Sequence, residues 1–416
     1  MVPNRWTPCA LADVTKWSSG GTPSKSNPDY WGGDIPWISA ASMRGHYFSS
    51  SELAITELAV SEKAKMAEQG TLLLLVRGSM LWNKIPVGIT TRRLAFNQDV
   101  KCIAPISTKL DIYFLLYWFL AKENKLMGMV TGTGIGAGKL DTNDLQSLHV
   151  LLPPLPEQRK IATILSTWDK AISTTERLID NCKQQKKALM QQLLTGKKRL
   201  LDDSGKPFVG EWVNVAIGDV VELFNGFAFK SSDALEMGCK WLKIANVGIG
   251  EIKWKDSSYL PENYQSEYKK YFLKVGDIVV AMTRPTLGNQ LKISRLKRRS
   301  DESLLNQRVA KLVFSDKVSC EYMYQLLSTI EVALKLNSAL LGTDPPNLNA
   351  KVLHEIQMKM PPLVEQQKIA AVLTNADQEI ELLEKQLADL KQEKKALMQQ
   401  LFTGKRRVIV DEKEVA

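Results

Sequence analysis

The sequence is short of the residues that build metal centres and disulfide frameworks. Its 416 residues include three histidines, and its five cysteines are scattered, with none in a Cys-x-x-Cys pair. An odd number of isolated cysteines is typical of free thiols in a reducing compartment. So few histidines also disfavour a zinc site, and we expect no bound metal.

Long apolar runs are missing as well. The most apolar stretch, residues 112–121, is about half the length of a membrane span and has charged residues on both sides. The amino terminus shows no apolar signal segment. The sequence therefore predicts a soluble, cytoplasmic protein without a membrane partner.

No complete catalytic or nucleotide-binding motif is found. The segment 132–139 (GTGIGAGK) lacks the glycine and the Ser/Thr of a phosphate-binding loop, since Thr133 and Leu140 stand at those positions. We expect it to be a mobile loop whose backbone N–H groups can bond phosphate oxygens. Residues 344–347 (DPPN) resemble the Asp/Asn-Pro-Pro-aromatic tetrapeptide of amino-methyltransferases, but Asn347 is not aromatic and no S-adenosylmethionine loop accompanies it.

Positive charge, in contrast, is abundant. Lysine and arginine number 55 against 45 acidic residues, which gives a formal net charge of +10. Such an excess suits a polyanionic partner such as nucleic acid, although many basic proteins bind none. The length alone predicts two or more domains.

The chain contains an internal repeat. Residues 153–165 (PPLPEQRKIATIL) return as 361–373 (PPLVEQQKIAAVL), with nine of thirteen positions identical. Residues 183–197 (KQQKKALMQQLLTGK) return as 391–405 (KQEKKALMQQLFTGK) at the same offset of 208. Looser matches near an offset of 206 link the upstream regions: Trp6 with Trp212, Gly20 with Gly226, and Asn97-Gln98 with Asn306-Gln307. The chain therefore has two halves of one design, which suggests one shape carrying two different recognition surfaces.

Each half has the same order of predicted elements. Short strands, such as 70–76 and 277–282, precede a helix, 112–125 or 322–337. A Pro-Pro step then begins a long helix, 157–194 or 365–401, with apolar seams sustained over four to five heptads. We expect the two long helices to pair antiparallel as a coiled coil within the chain. Pairing with helices of another protein remains an alternative.

The repeated PPLxEQxKIA entry, with its long helix ending in KKALMQQL(L/F)TGK, resembles the specificity subunits of type I restriction-modification enzymes, and the resemblance covers essentially the whole chain. It implies an α/β (α+β) fold with two target-recognition domains, 1–152 and 201–360, each reading one half of a split, asymmetric DNA site. It also implies a central helical region, 153–200, and a C-terminal one, 361–407, followed by a tail, 408–416. About 35 helical residues span about 50 Å, or roughly 15 base pairs, so helix length is expected to set the unread spacer.

The resemblance also implies the partners. These are double-stranded DNA, two DNA methyltransferase subunits on the helical scaffold and two restriction/translocase subunits outside. S-adenosylmethionine would be bound by the methyltransferase, and ATP and Mg by the restriction subunit, so this chain would bind no cofactor and catalyse nothing. Three alternatives stay open: the recognition subunit of a related methylation-only defence system, an S-adenosylmethionine-dependent methyltransferase built around 344–347, and a coiled-coil adaptor without DNA contact.

Candidate DNA-binding residues lie between the repeated scaffold positions. Arginine can bond guanine, asparagine or glutamine can bond adenine, and lysine neutralises phosphate. Arg77 and Arg284 are the foremost candidates for base reading. The full set is Arg44, Arg77, Ser79, Lys84, Arg92, Arg93, Asn97, Gln98, Thr133 and Lys139 in the first half, and Lys243, Asn246, Arg284, Thr286, Asn289, Gln290, Lys292, Arg298, Asn306, Gln307, Arg308 and Asn347 in the second.

Two sets within these candidates have another interpretation. Asn97-Gln98 and Asn306-Gln307 occur in both halves, which favours a role in the fold or in a shared backbone contact. The basic run 297–299, which includes Arg298, is also typical of a solvated surface.

Overall fold

The computed structural model describes residues 5–62, 64–134, 136–255, 257–342 and 344–410. The chain divides into two compact units. Unit 1 comprises Met1–Arg177 with Lys385–Ala416, and unit 2 comprises Leu178–Glu384. Each unit thus contains a part of both long helices. The division of the chain into five segments, 1–152, 153–200, 201–360, 361–407 and 408–416, stays a prediction.

The strands of unit 1 are short. They are β1 (Thr7–Ala10), β2 (Thr15–Ser19), β3 (Trp31–Ile38), β4 (Tyr47–Phe48), β5 (Ala54–Ile55), β6 (Met66–Ala67), β7 (Leu72–Leu75), β8 (Arg77–Gly78), β9 (Val87–Thr90), β10 (Leu94–Phe96), β11 (Val100–Pro105), β12 (Thr131–Gly132), β13 (Gly138–Lys139) and β14 (His149–Leu152). Its helices are α1 (Leu11–Val14), α2 (Glu57–Glu62), α3 (Ile112–Ala121), α4 (Glu123–Gly128) and α5 (Thr142–Gln146), and 3₁₀ turns cover Pro28–Tyr30, Ala40–Ser42 and Ser79–Trp82.

The first long helix, α6, runs over Leu155–Leu193 and leads into unit 2. The strands there are β15 (Val213–Ala216), β16 (Val221–Asn225), β17 (Cys239–Leu242), β18 (Tyr259–Leu260), β19 (Phe272–Leu273), β20 (Ile278–Ala281), β21 (Thr286–Leu287), β22 (Gln290–Leu291), β23 (Ile293–Arg295), β24 (Ser303–Leu305), β25 (Val309–Phe314) and β26 (Gln357–Met360). The helices are α7 (Ile217–Val220), α8 (Tyr264–Glu267), α9 (Cys320–Leu327), α10 (Ile330–Ala339), α11 (Ala350–Glu355) and the second long helix α12 (Leu363–Phe402), with 3₁₀ turns at Ser231–Asp233, Ile244–Asn246, Lys269–Tyr271 and Arg299–Asp301.

The two units share one sheet topology. In unit 1 the strand orders are β2-β11-β7-β9-β4 and β5-β3-β10-β6; in unit 2 they are β16-β25-β20-β23 and β18-β17-β24-β19. A separate antiparallel pair, β1 with β14 or β15 with β26, joins the beginning of each half to the strand before its long helix. The predicted repeat and the mixed helix-and-sheet fold are therefore confirmed.

The core of each unit forms around one central strand. All residues of β7 and of β20 are buried, as expected for strands covered on both faces. In unit 1 the strand belongs to a core that includes α3 and the first turns of α6. In unit 2 the equivalent core includes α9 and the first turns of α12. The start of each long helix is thus anchored in a globular core.

Helix boundaries differ from the prediction upstream of the Pro-Pro step. The single helix expected over 322–337 is two helices, α9 and α10, because the Thr329 side chain accepts a hydrogen bond from the backbone of Val332 and so starts a new helix. The helix expected over 112–125 is likewise divided into α3 and α4, with Lys122 between them. Both long helices agree with the prediction to within two residues at each end.

Ion pairs show how the long helices lie in each unit. In unit 1, Asp169 of α6 pairs with Lys394 of α12 at 2.5 Å, and Glu176 of α6 pairs with Lys391 of α12 at 2.7 Å. Residue numbers increase along α6 where they decrease along α12, so the two helices run in opposite directions. In unit 2 the same pairs recur 208 residues away, as Lys186–Asp377 at 2.6 Å and Lys183–Glu384 at 2.7 Å. The antiparallel pairing is therefore confirmed.

The glutamine of each PPLxEQ segment fixes the entry to the long helix. Gln158 donates to the carbonyl oxygen of Pro153 at 2.9 Å and accepts from the backbone of Asp111 at 2.9 Å. Gln366 does the same with Pro361 at 2.9 Å and Ser319 at 3.0 Å. This part of the repeat therefore holds the fold. Across the described ranges, no helix combines the length and the apolar character that crossing a bilayer requires.

Candidate nucleic-acid interface

The polar surface at the carboxyl end of β7 gathers several of the candidate residues in unit 1. The backbone N–H groups of Val76 and Arg77 both donate to the carbonyl oxygen of Asp99, at 2.8 and 3.3 Å. Arg77 lies opposite Lys139 in the β8–β13 pair, and both side chains are exposed. Close by, the Thr22 hydroxyl donates to Gln98 Oε1 at 2.5 Å. We call Thr22, Arg77, Gln98, Asp99 and Lys139 ridge 1.

Unit 2 builds the same backbone arrangement at the end of β20. Met282 N donates to the carbonyl oxygen of Arg308 at 2.9 Å, as Val76 does to Asp99. Leu348 N donates to Met282 O at 2.7 Å, which matches the Leu140–Val76 bond of 2.8 Å. Thr283 lies opposite Asn347. We call Thr283, Arg284, Gln307, Arg308 and Asn347 ridge 2.

The two ridges have the same backbone arrangement but carry different side chains. The cross-strand pair is Arg77 with Lys139 in ridge 1 and Thr283 with Asn347 in ridge 2. In ridge 2 the Thr283 hydroxyl donates to Asn347 Oδ1 at 3.3 Å. Ridge 1 therefore presents two cations here, whereas ridge 2 presents a hydroxyl and an amide. These groups suit different base edges.

Arg284 has an unusual backbone conformation. Its φ is 48°, in the left-handed region that non-glycine residues rarely adopt, and its N–H donates to Pro346 O at 2.8 Å. Its side chain is exposed. Burial and the neighbouring Arg284 charge both lower the pKa of Lys292, which follows in the same connection between β20 and β23. Two cations held this close attract an anion such as a phosphate.

A glycine lies against each ridge. A Cβ on Gly20 would be 2.1 Å from Phe96 O, and one on Gly226 would be 2.3 Å from Asn306 O. No side chain fits at these distances, so the repeated glycines are required by the close approach of two backbone segments.

The repeated asparagines form the turns of the ridges. Asn97 Oδ1 accepts from Asp99 N at 3.2 Å, and Asn306 Oδ1 accepts from Arg308 N at 3.0 Å. Asn97 is buried, while Gln98 and Gln307 are exposed. This geometry supports the fold-holding role for the asparagines and leaves the glutamines accessible.

Three arginines are placed away from the ridges. Arg92 and Arg93 follow β9 at the opposite end of β7 from Arg77, and Arg93 lies 3.7 Å from both Glu57 and Glu68. Arg298 follows β23 near the beginning of β20, opposite the end where Arg284 lies. In a hairpin, residues that are close in sequence can lie at opposite ends of a strand. The sequence pattern did not predict at which end these three arginines lie.

The remaining candidates lie in varied environments. Ser79 and Lys84 are exposed beyond β8, Arg44 is exposed and 3.9 Å from Glu52, and Thr133 bonds Ala137 O within the β12–β13 hairpin. In unit 2, Thr286 donates to Asn337 at 2.6 Å, and Asn289 and Gln290 line a groove beside α6. Lys243 bonds Ser258 and lies 4.0 Å from the Trp241 ring centroid, while Asn246 is buried and bonded to Lys253 O. DNA contact by any of these residues stays a prediction.

Three ridge residues are not among the candidates taken from the sequence, namely Thr22 and Asp99 in ridge 1 and Thr283 in ridge 2. Thr22 and Asp99 reach ridge 1 through their bonds with Gln98 and Arg77. Thr22 lies two residues after the repeated Gly20, and this spacing is the one signal that could have pointed to it. The glycine-rich segment is an antiparallel hairpin over its described residues, and Ile135 within it lies outside them.

Comparisons with known proteins decide the family. The profile of the type I restriction modification DNA specificity domain matches residues 3–184 and again residues 210–392. The chain belongs to this family. It is 32% identical over 412 residues to the MjaVIII specificity subunit of Methanocaldococcus jannaschii, covering 98% of this chain and 94% of that relative. The EcoR124I/EcoR124II specificity subunit of Escherichia coli is 30% identical over 161 residues, which cover 38% of this chain and 40% of that relative.

Solved structures show the same fold in this family. The specificity subunit of a type I restriction-modification system from M. genitalium superposes with a TM-score of 0.59 at 16% identity, covering 97% of this chain and 98% of the other. A second solved chain, from a study of type I system assembly, gives a TM-score of 0.55 at 17% identity, covering 98% of this chain and all of the other. The family resemblance predicted from the repeat is confirmed.

Proposed function

We propose that the chain reads a bipartite, asymmetric DNA site, with ridge 1 on one half-site and ridge 2 on the other. The observation that carries this is the pairing of Arg77 with Lys139 at the same backbone position as Thr283 with Asn347. One scaffold presenting different donors and acceptors suits two different base sequences. The basic net charge of +10 supplies the sequence-independent attraction to phosphate.

We further propose that the chain is non-catalytic and works in the cytoplasm with two methyltransferase subunits and two restriction/translocase subunits. S-adenosylmethionine is then bound by the methyltransferase, and ATP and Mg by the restriction subunit. The methyltransferase alternative built on 344–347 is disfavoured because Asn347 pairs with Thr283 in ridge 2. A methylation-only system remains the second candidate, since the recognition chemistry would be the same.

The test is to map methylated adenines in cells that express the chain with its methyltransferase. Arg77→Ala should relax or abolish recognition of one half-site and leave the other unchanged, because only ridge 1 is altered. Arg92→Ala is the matched control, since Arg92 lies at the far end of the same strand pair. Loss of both half-sites on Arg77→Ala, or an equal effect of Arg92→Ala, would contradict the assignment. Binding of S-adenosylmethionine to the purified chain would favour the enzyme alternative.

A further inference from the structure

One exposed glutamine is the same in both ridges. Gln98 in ridge 1 and Gln307 in ridge 2 each follow the asparagine of the ridge turn, and both glutamine side chains are exposed. The turns themselves are closed by the asparagine side chains. The proposed function requires the two ridges to read different bases, so the same amide must act differently in the two places.

The segments that lie against the two ridge turns differ at one exposed position. The backbone N–H groups of Gly21 and Phe227 each donate at 2.9 Å to the carbonyl oxygen of the last residue of a strand, β10 in unit 1 and β24 in unit 2. The next residue along the chain is Thr22 in the first segment and Ala228 in the second, and both are exposed. Residues 22 and 228 are therefore structurally equivalent.

The Thr22 hydroxyl holds one end of the Gln98 amide. It donates to Gln98 Oε1 at 2.5 Å. A glutamine amide has one acceptor oxygen and an NH₂ group with two donors, so this bond engages the acceptor end and leaves the donor end, Nε2, to contact a partner. Ala228 has no hydroxyl, so residue 228 does not hold Gln307 in this way. Gln307 can therefore use both ends of its amide.

The charged side chains of ridge 1 agree with a donor role for Gln98. Arg77 and Lys139, which lie opposite each other, carry donors alone. The Asp99 carboxylate is an acceptor, but it is half-buried and accepts from Asn97 Nδ2 at 3.3 Å. In the major groove, guanine offers two acceptors, N7 and O6, whereas adenine offers one acceptor and one donor. A ridge that presents donors therefore suits guanine.

We propose that Thr22 determines specificity by making Gln98 a hydrogen-bond donor to guanine in the half-site that ridge 1 reads. In ridge 2, Ala228 leaves Gln307 able to contact adenine through both ends of its amide, N7 through Nε2 and N6 through Oε1. One exposed position thus gives the same glutamine two specificities. Thr22 acts through Gln98 and is a positioning residue. The inference rests on the proposed function, in which each ridge reads one half-site.

The experiment maps the sequences that are methylated in cells by the full chain with its methyltransferase. Thr22→Val keeps the shape of the side chain and removes the hydroxyl. At one position of one half-site, the preference for a G·C pair over an A·T pair should fall by about tenfold, because Gln98 can then use its acceptor end as well. Thr22→Ser keeps the donor and should restore the preference. Ala228→Thr should shift one position of the other half-site from A·T towards G·C.

Thr108→Val is the matched control. Thr108 is exposed and follows β11, whereas Gln98 precedes it, so the two residues lie at opposite ends of that strand. This variant should change no base preference. A double-mutant cycle separates positioning from direct contact: in a Gln98→Ala chain, Thr22→Val should have no further effect.

Three outcomes overturn the inference. The first is a Thr22→Val methylome with both half-sites unchanged. The second is an equal effect of Thr22→Val with and without Gln98, since Thr22 would then contact DNA itself. The third is an A·T pair, in the site of the unaltered chain, at the position that Gln98→Ala relaxes. The proposed function fails separately, if the unaltered complex methylates no specific sequence or if Arg77→Ala changes neither half-site.

Discussion

Arg199 and Glu365 form a two-bond ion pair that joins the segment after one long helix to the beginning of the other. Arg199 Nε lies 2.6 Å from Glu365 Oε1, and Nη2 lies 2.7 Å from Oε2. Arg407 and Glu157 repeat this geometry in unit 1, at 2.6 and 2.7 Å. Both glutamates are buried, so their charge is compensated by the guanidinium and not by water.

Replacing Glu365 by glutamine should therefore destabilise unit 2. Glu365→Gln keeps the shape but leaves the Arg199 charge uncompensated. We expect a loss of about 2 kcal/mol, below the roughly 3–5 kcal/mol of a fully buried pair, because 24% of the Arg199 side chain is exposed. Chemical denaturation measures the change. Glu384→Gln is the control: its pair with Lys183 is about half exposed on both sides, so it should cost no more than about 1 kcal/mol. Equal losses would contradict the argument.

Gly226→Ala should disturb ridge 2 by forcing two backbone segments apart. The added Cβ would meet carbonyl oxygens at 2.3 Å. Overpacking of this kind costs about 1–3 kcal/mol, which thermal unfolding of the full chain can detect. Gly128→Ala provides the comparison, since a Cβ there meets nothing within 4 Å. A Gly226→Ala chain as stable as the Gly128→Ala chain would show that the close approach is not required.

Arg284 should lower the stability of the chain while its side chain contributes to DNA recognition. Its positive φ strains any residue other than glycine by roughly 1 kcal/mol. Arg284→Gly should therefore give a chain about 1 kcal/mol more stable than Arg284→Ala, which keeps the strain and also removes the guanidinium. Both variants should lose recognition of the half-site read by ridge 2. If Arg284→Gly retained full sequence recognition, the guanidinium would not be a reading group.

Helix length should set the spacing between the half-sites. Seven residues can be inserted between Glu176 and Lys183 and seven between Glu384 and Lys391, which leaves every interhelical ion pair with its own partner. One heptad adds about 10 Å, so the spacer should lengthen by roughly three base pairs while both half-sites stay the same. Methylome mapping reads both quantities. An insertion of seven residues after Gly205, in an exposed turn, should change neither; a change of spacer there would contradict the prediction.

Patterns in the sequence were sufficient to predict the two long helices that form the scaffold of the chain. Heptad seams and a shared offset predicted the long helices and their antiparallel pairing, because amphipathic periodicity and repeated spacing are properties of the chain itself. The family followed from the same repeat. The division of α9 from α10 was missed, since Thr329 could equally stand inside a helix until its hydroxyl was seen to bond Val332.

The ridges depended on tertiary structure. Thr22, Arg77, Gln98 and Lys139 are far apart in sequence and meet only because β2, β7, β11 and β13 bring their ends together. Arg92 is much closer to Arg77 in the chain, yet the β7–β9 hairpin places it at the other end. The sequence by itself determined that this protein has two copies of one design joined by paired helices. Only the fold decided which polar side chains share a surface, because strand direction and register are set by long-range pairing and not by local composition.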